Sequence, residues 1–144
     1  MSAAPTSISY CHEKRSLFFG VEGGAVEEWS VARDYNRMEN VRVYHAHQAR
    51  VTATWFTSAS NWILSSGRDK YFYFHCTNTG KRLGGYMVNA WCTALAYDEE
   101  AQYVFIGDYS GAITVCKLEQ NGVKFINTLK VNINTVEKVK VIPF

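Results

Sequence analysis

Apolar and polar positions alternate along this chain in short runs, a pattern that indicates strands rather than helices. Three runs share one layout: an apolar stretch, a glycine, a short polar turn and a second apolar stretch. They read SLFFGVEGGAVEEW around Gly20, WILSSGRDKYFYFH around Gly67 and YVFIGDYSGAITVC around Gly107. Each predicts a β-hairpin with glycine or a polar residue in the turn. The longest helix candidate, residues 31–38, lacks an apolar face at helical spacing.

Further strand candidates surround each hairpin. Those before the hairpins are Thr6 to Tyr10, Val51 to Phe56 and Cys92 to Tyr97, and the more polar ones after them are Val41 to Tyr44, Lys81 to Gly85 and Val123 to Leu129. A four-stranded unit that recurs about every forty residues is typical of propeller blades. We therefore predict an all-β fold, a partial β-propeller of about three four-stranded antiparallel blades. The blades cover approximately residues 1–44, 45–89 and 90–130, within a domain of residues 1–135, and residues 136–144 form a divergent tail.

Composition and charge narrow the function classes. The chain has 144 residues, 47% of them apolar and 15% aromatic, which suits one domain rich in strands. The net charge is +2 without a basic run, so nucleic acid is not an expected partner. The N-terminal residues do not form a secretion signal and no 18-residue apolar window occurs, so we expect a cytoplasmic protein. The four cysteines form no CxxC pair; reduced thiols are expected, and no metal or cofactor site.

The second unit resembles a WD40 repeat. His47 precedes the strand Val51 to Phe56, and Ser65, Asp69 and His75 follow at the spacing of that family's pattern. The resemblance implies a buried hydrogen-bond network in which Asp69 fixes the His47 ring and His47 bonds the Ser65 hydroxyl. The usual fourth member is a tryptophan, and His75 occupies its position.

Other segments resemble the WD-repeat and FYVE-domain endosomal adaptor proteins in particular. They are DYNRM from Asp34, YHAHQARVT from Tyr44, RLGGY from Arg82, VFIGD from Val104 with Ser110-Gly111, and KLEQ from Lys117. The resemblance implies a non-enzymatic scaffold or adaptor in endosomal signalling or trafficking, found at the early endosome, with protein kinases among its partners. It reaches only the family's second to fourth blades. We therefore expect a truncated isoform, a fragment or a partial gene model, without direct phosphoinositide binding because the sequence shows no FYVE module.

His47, Ser65 and Asp69 also have the residue types of a nucleophilic triad. The alternative function is thus a small Ser/His or Cys/His hydrolase that uses Ser65 or Cys76. Against it, no Gly-x-Ser-x-Gly elbow or oxyanion hole can be located. The pairs His45 with His47 and His75 with Cys76 are weak candidates for metal ligands, and buried packing is the simpler interpretation.

We expect the partners to be other proteins, and we expect them to contact loops that a rigid scaffold holds in place. The candidate contact residues are Arg33, Asp34, Tyr35, Arg50, Arg68, Lys70, Asp108 and Tyr109. The glycine pairs Gly23-Gly24 and Gly84-Gly85 are interpreted as turns, and the run Tyr71 to Phe74 as core. Three blades do not close a ring, so open blade faces also allow self-association.

Overall fold

Twelve β-strands make up the regular structure of residues 4–130, the part of the chain that the computed structural model describes. In chain order the strands are β1 (Pro5–Cys11), β2 (Ser16–Val21), β3 (Val26–Val31), β4 (Met38–Tyr44), β5 (Val51–Thr57), β6 (Trp62–Gly67), β7 (Tyr71–Cys76), β8 (Arg82–Met87), β9 (Cys92–Asp98), β10 (Tyr103–Asp108), β11 (Ala112–Glu119) and β12 (Gly122–Lys130). The predicted tail at residues 136–144 lies outside the described residues.

The strands form three antiparallel sheets of four, each in sequence order: β1 to β4, β5 to β8 and β9 to β12. The first strands contact one another, β1 with β5 and β5 with β9, and the last strands β8 and β12 also touch. The three sheets therefore stand side by side as blades, with β1, β5 and β9 innermost. This confirms the predicted all-β fold of three four-stranded antiparallel blades.

Two clusters of buried side chains fill the spaces between the blades. The cluster between the first and second blades includes Phe18, Val26, Tyr44, Val51 and Ile63. The cluster between the second and third includes Leu64, Phe72, Phe74, Leu95, Val104 and Ile106. Phe72 and Phe74 are fully buried on one face of β7, and Tyr71 and Tyr73 are half-buried on the other. The uninterrupted aromatic run is thus a strand that packs on both faces.

Three equivalent turns join the middle strands of each blade. In each, a residue with positive φ donates its backbone N–H to the carbonyl three residues earlier: Gly24 (φ 102°) to Val21, Lys70 (φ 73°) to Gly67 and Gly111 (φ 88°) to Asp108, at 3.1–3.3 Å. Glycine adopts this backbone without a steric cost, whereas lysine does not. The second blade therefore has a turn that needs support from other contacts.

The prediction that Gly84-Gly85 forms a turn is wrong, because both residues lie inside β8. A Cβ on Gly85 would stand 2.3 Å from Cδ1 of Tyr73, and one on Gly84 would stand 3.0 Å from Cα of Gly122 in β12. The pair lets β8 lie closely against an aromatic ring on one side and the third blade on the other. The other pair, Gly23-Gly24, does lie in the turn between β2 and β3.

Candidate functional site

The antiparallel strands place the loops at two opposite ends of the molecule. We call the end with the β2–β3, β6–β7 and β10–β11 turns and the β4–β5 and β8–β9 connections the rim end. Arg50, Arg68, Lys70, Asp108 and Tyr109 lie at the rim end. Arg33, Asp34 and Tyr35 lie in the β3–β4 loop at the opposite end, where the Arg15 guanidinium stands 5.7 Å from the ring centre of Tyr35. The candidate contact residues therefore divide into two separate surfaces.

A chain of hydrogen bonds joins Asp69, His47 and Ser65 at the rim end of the second blade. Nδ1 of His47 lies 3.0 Å from Oδ1 of Asp69, and Nε2 lies 2.9 Å from Oγ of Ser65. The Asp69 carboxylate also accepts the backbone N–H groups of Gln48 at 3.0 Å and Tyr71 at 3.2 Å. Asp69 thus links the β4–β5 connection to the turn that carries Lys70 at positive φ.

Burial sets the protonation of this network. It lowers the pKa of His47, and the Asp69 carboxylate opposes that effect only in part. A neutral ring then donates Nδ1–H to Asp69 and accepts the Ser65 hydroxyl at Nε2. Gly67 leaves the space for this pair, since a Cβ there would stand 2.8 Å from Nδ1 of His47.

The arrangement resembles a hydrolytic triad in its distances but not in its access. The Ser65 residue is 1% exposed, and the His47 side chain is fully buried. A nucleophile must reach the carbonyl carbon of a substrate, and a hydroxyl enclosed between two blades does not. The three side chains bond one another and the backbone of two neighbouring connections.

Two residues that were not predicted as site residues complete the surroundings of His47. The Tyr73 ring lies 5.3 Å from the His47 ring, and the Arg82 guanidinium lies 3.9 Å above Tyr73. Arg82 also donates to the carbonyls of His45 and Ala46 at 3.2 and 3.3 Å. Arg82 therefore ties β8 to the β4–β5 connection.

His75, which occupies the tryptophan position of the family pattern, packs elsewhere. Its ring meets the ring of Tyr44 edge-on at 5.3 Å, at the boundary with the first blade. Burial, assisted by the Arg82 charge, lowers the pKa of His75 to about 4. His75 is therefore neutral at physiological pH and serves as an aromatic core residue.

Equivalent positions in the other blades lack this triad. The backbone N–H of His47 donates to Gly24 of the first turn, and that of Val88 donates in the same way to Lys70 of the second. Val88 thus stands in the third blade where His47 stands in the second. The third turn is held by Asp108 instead, whose carboxylate accepts the Ser110 backbone N–H at 2.8 Å and the Ser110 hydroxyl at 2.6 Å.

The Asp108 side chain is enclosed in its own turn. It is 1% exposed, and its carboxylate bonds within the turn. The prediction of Asp108 as a contact residue does not carry over, because an aspartate just before a tight turn satisfies the turn's own N–H groups. Its neighbour Tyr109 is 60% exposed.

The exposed residues of the rim end occupy matching places in successive blades. The backbone N–H of Arg68 donates to the carbonyl of Arg50 at 2.9 Å, and that of Tyr109 donates to Trp91 at 2.9 Å. Arg50 and Trp91 therefore match, each directly before the first strand of its blade. Glu22 occupies the turn position that Arg68 and Tyr109 occupy in the other blades. Trp91 was not predicted, although its place before β9 is visible in the sequence.

These residues form one surface, which we call the rim patch: Arg50, Arg68, Lys70, Trp91 and Tyr109. The Arg68 guanidinium lies 5.4 Å from the ring centre of Trp91, and the Trp91 and Tyr109 rings are 6.0 Å apart. Arg50 pairs with Glu22 of the first blade at 3.5 Å. In two successive blades, a turn residue thus contacts the residue before the next blade's first strand.

Two cavities border the Trp91–Tyr109 pair. One, of about 310 Å³, lies between the blades, and its lining includes Arg50, Arg68 and a threonine from each innermost strand: Thr6, Thr52 and Thr93. The other, of about 380 Å³, lies on the other side of the Trp91–Tyr109 pair. Its lining residues are Lys70, Asn89, Ala90, Trp91 and Tyr109. The patch thus combines positive charge, exposed aromatic surface and room for a few side chains.

The suggested metal pairs do not converge. His45 is exposed and His47 is buried with both ring nitrogens bonded. No group of three His, Cys, Asp or Glu side chains among residues 4–130 is placed to hold a metal ion. Within the same residues, no helix has the length and apolar character to cross a bilayer.

Solved structures of low sequence identity share this fold. The computationally designed Ika4 protein aligns with a TM-score of 0.84 at 20% identity, over 99% of this chain and 82% of its own. A chain of a mitotic checkpoint complex aligns with 0.82 at 16% identity, over 96% and 43%. Sqt1 of Saccharomyces cerevisiae gives 0.80 at 10% identity, over 93% and 37%. Together with the repeat pattern, these matches show that the chain has the fold of a WD40-type β-propeller.

Curated relatives resemble this chain more closely in sequence than these solved structures do. WD repeat and FYVE domain-containing protein 1 of Homo sapiens is 43% identical over 130 residues, and protein 2 of the same species is 41% identical; both matches cover 90% of this chain. Protein 2 of Caenorhabditis elegans is 33% identical over 136 residues, which is 94% of this chain. The chain spans about a third, 32%, of the length of each of these relatives. No family model matches the chain. The relatives and the fold together support a protein-interaction scaffold.

Proposed function

We propose that this chain is a non-enzymatic scaffold that binds other proteins through the rim patch. The observation that carries the proposal is the placement of exposed Arg68 and Tyr109 at matching turn positions of two adjacent blades, with the exposed Trp91 beside them. Buried clusters on both sides of the second blade hold these blades together. A rigid scaffold that presents loop residues in fixed positions is the usual design of a binding surface. Arginine and large aromatic side chains are the residues enriched in such surfaces.

The test compares two variants that lose the same charge. One replaces Arg50, Arg68 and Lys70 with alanine, and the matched control replaces Arg37, Lys81 and Lys124, which are exposed away from the rim patch. Tagged full-length chains capture proteins from cell extract, and mass spectrometry quantifies them. We expect the first variant to lose partners that the control retains. Equal capture by both variants would count against the rim patch as the binding surface.

The hydrolase alternative is tested by activity-based labelling. A fluorophosphonate probe reacts with a base-activated serine, and we expect no labelling of Ser65 in the folded chain because the hydroxyl is enclosed. Stoichiometric labelling that the His47→Ala variant abolishes would instead support the hydrolase.

The resemblance to WD repeat and FYVE domain-containing proteins supports a proposal for the cellular setting. We propose that the chain acts in endosomal signalling or trafficking, with protein kinases among its partners. Proximity labelling with the full chain tests this setting. Enrichment of early endosomal proteins and kinases is expected, and their absence would refute it.

Self-association through the open outer blades remains a prediction. Ile8 is 66% exposed on β1, and Leu129 is 47% exposed on β12. Such apolar side chains on outer blades favour association. Light scattering on the purified chain should show a dimer or larger species, and a monomer at high concentration would contradict it.

A further inference from the structure

Exposed positive charge dominates the rim patch. Arg68 and Lys70 are exposed and Arg50 is half-buried, against one exposed acid, Glu22. Lys130 adds a fourth cation at this end, since its Nζ donates to the Ser110 carbonyl at 3.0 Å. The nearby carboxylates reduce the positive charge, but both are occupied by hydrogen bonds within the protein: Asp69 with His47 and the backbone of Gln48, and Asp108 with its own turn. The surface therefore favours an anionic group.

The two arginines are held in different ways. Arg68 lies on the Trp91 ring, a contact that orients the guanidinium and leaves its N–H groups available at the edge. Arg50 pairs with the exposed Glu22 at 3.5 Å, and the two side chains are 40% and 64% accessible. An exposed pair of this kind contributes little to stability, so a ligand carboxylate or phosphate can replace Glu22 at small cost.

The aromatic surface and the cavities limit the size of the ligand. Trp91 and Tyr109 are 48% and 60% exposed and stand between cavities of about 310 and 380 Å³. Each cavity holds one or two side chains. A nucleic acid strand needs a longer track of cations, because each phosphate contact contributes only a small, salt-sensitive part of its affinity. The dimensions fit an extended peptide with an acidic residue beside an apolar one.

We propose that the rim patch binds an acidic peptide segment of a partner protein, and that Glu22 competes with this segment for Arg50. Arg68 and Arg50 receive the acidic side chain, and Trp91 and Tyr109 pack against its apolar neighbour. The inference rests on the proposed function, of which it names the partner class.

The experiment selects ligands without assuming a sequence. A phage library of random heptapeptides is panned on the full chain and, in parallel, on the variant that lacks Arg50, Arg68 and Lys70. We expect peptides with an acidic and an aromatic residue to be enriched on the first and absent on the second. Enrichment without an acidic bias, enrichment that persists on the variant, or no enrichment at all would overturn the inference.

Affinities for a selected peptide then test the residues individually. Arg68→Ala should weaken binding about tenfold, and Arg68→Lys less, because it keeps the charge but loses the planar fork. Glu22→Gln should tighten binding about twofold to fivefold, the range expected from release of an exposed ion pair. Circular dichroism confirms that each variant is folded. Unchanged or weaker binding by Glu22→Gln would refute the competition.

Further probes separate the sources of negative charge. A phosphoserine in place of the acidic residue binds more tightly if the natural segment is phosphorylated and more weakly if it is not; either result supports an anionic peptide. Binding of polyuridylate or phosphatidylserine vesicles through Arg68, without peptide binding, would overturn the inference. Partner capture that depends on the rim patch while selected peptides lack acids would refute this inference and leave the proposed function standing.

Discussion

Asp69→Ala removes one carboxylate that accepts three N–H donors, from the His47 ring and from the backbones of Gln48 and Tyr71. Each such hydrogen bond contributes about 1 kcal/mol net, and more when the acceptor is charged, so the free energy of unfolding should fall by about 3–4 kcal/mol. His47→Ala should cost about 3 kcal/mol, because it removes the bonds to Asp69 and Ser65 and the contact with Tyr73. The two backbone donors keep Asp69 partly paired in that variant.

The two losses should not add. Because each single variant already removes the His47–Asp69 bond, the double variant should lose about 1–2 kcal/mol less than the sum. Urea denaturation followed by tryptophan fluorescence gives each free energy from the midpoint and slope. Ser110→Ala in the matching turn is the control and should cost about 1 kcal/mol, since its hydroxyl donates a hydrogen bond to Asp108. A coupling energy below about 0.5 kcal/mol, or an Asp69→Ala cost no larger than the control's, would refute the network.

Three other predictions concern pH, packing and thiol chemistry. The pKa of His75 falls from its ordinary value to about 4 on folding, so the unfolded chain binds a proton at a higher pH than the folded chain does. The free energy of unfolding should therefore fall by about 3 kcal/mol as the pH drops from about 6.5 to 4. Urea titrations of His75→Phe should show a weaker dependence of that free energy on pH, and an equal dependence would contradict this. Gly85→Ala should cost about 1–3 kcal/mol because its Cβ would meet the Tyr73 ring. Gly23→Ala is the control: a Cβ there has open space, so stability should change by less than about 0.5 kcal/mol. Thermal unfolding measures both costs, and equal costs would be contrary evidence. Hydrogen bonding from the Thr79 side chain lowers the pKa of Cys76, and burial raises the pKa of Cys92 to about 12. Iodoacetamide should therefore modify Cys76 before Cys92, as peptide mapping would show. Equal rates of modification would argue against these environments.

The hairpins could be predicted because their signals are local. Alternating apolar positions and the glycines at 24 and 111 are visible in the sequence, and the structure has strands and positive φ there. Lys70 has the same backbone without a glycine, because Asp69 holds the turn from its side chain. Gly84-Gly85 was misjudged since the crowding comes from Tyr73 and Gly122, which only the folded sheets bring close.

The site residues also divide into those that the sequence could predict and those that depend on the assembled fold. The residue types and spacing of His47, Ser65 and Asp69 follow a repeat pattern, so sequence alone could name them. Tyr73 and Arg82 depend on the register that pairs Arg82 with His75 across β7 and β8, which no local pattern states. The opposite placement of Tyr35 and Tyr109 likewise depends on strand direction, a property of the assembled blade.

The measurement that most directly tests the rim patch as the binding surface is site-specific photo-crosslinking. Tyr35 and Tyr109 are both 60% exposed and lie at opposite ends of the blades, so each is the matched control for the other. A benzoylphenylalanine at either position is irradiated in cells that express the full chain. The account predicts crosslinked partner proteins from position 109 and not from position 35. Crosslinks from position 35 alone, or equally from both, would contradict it.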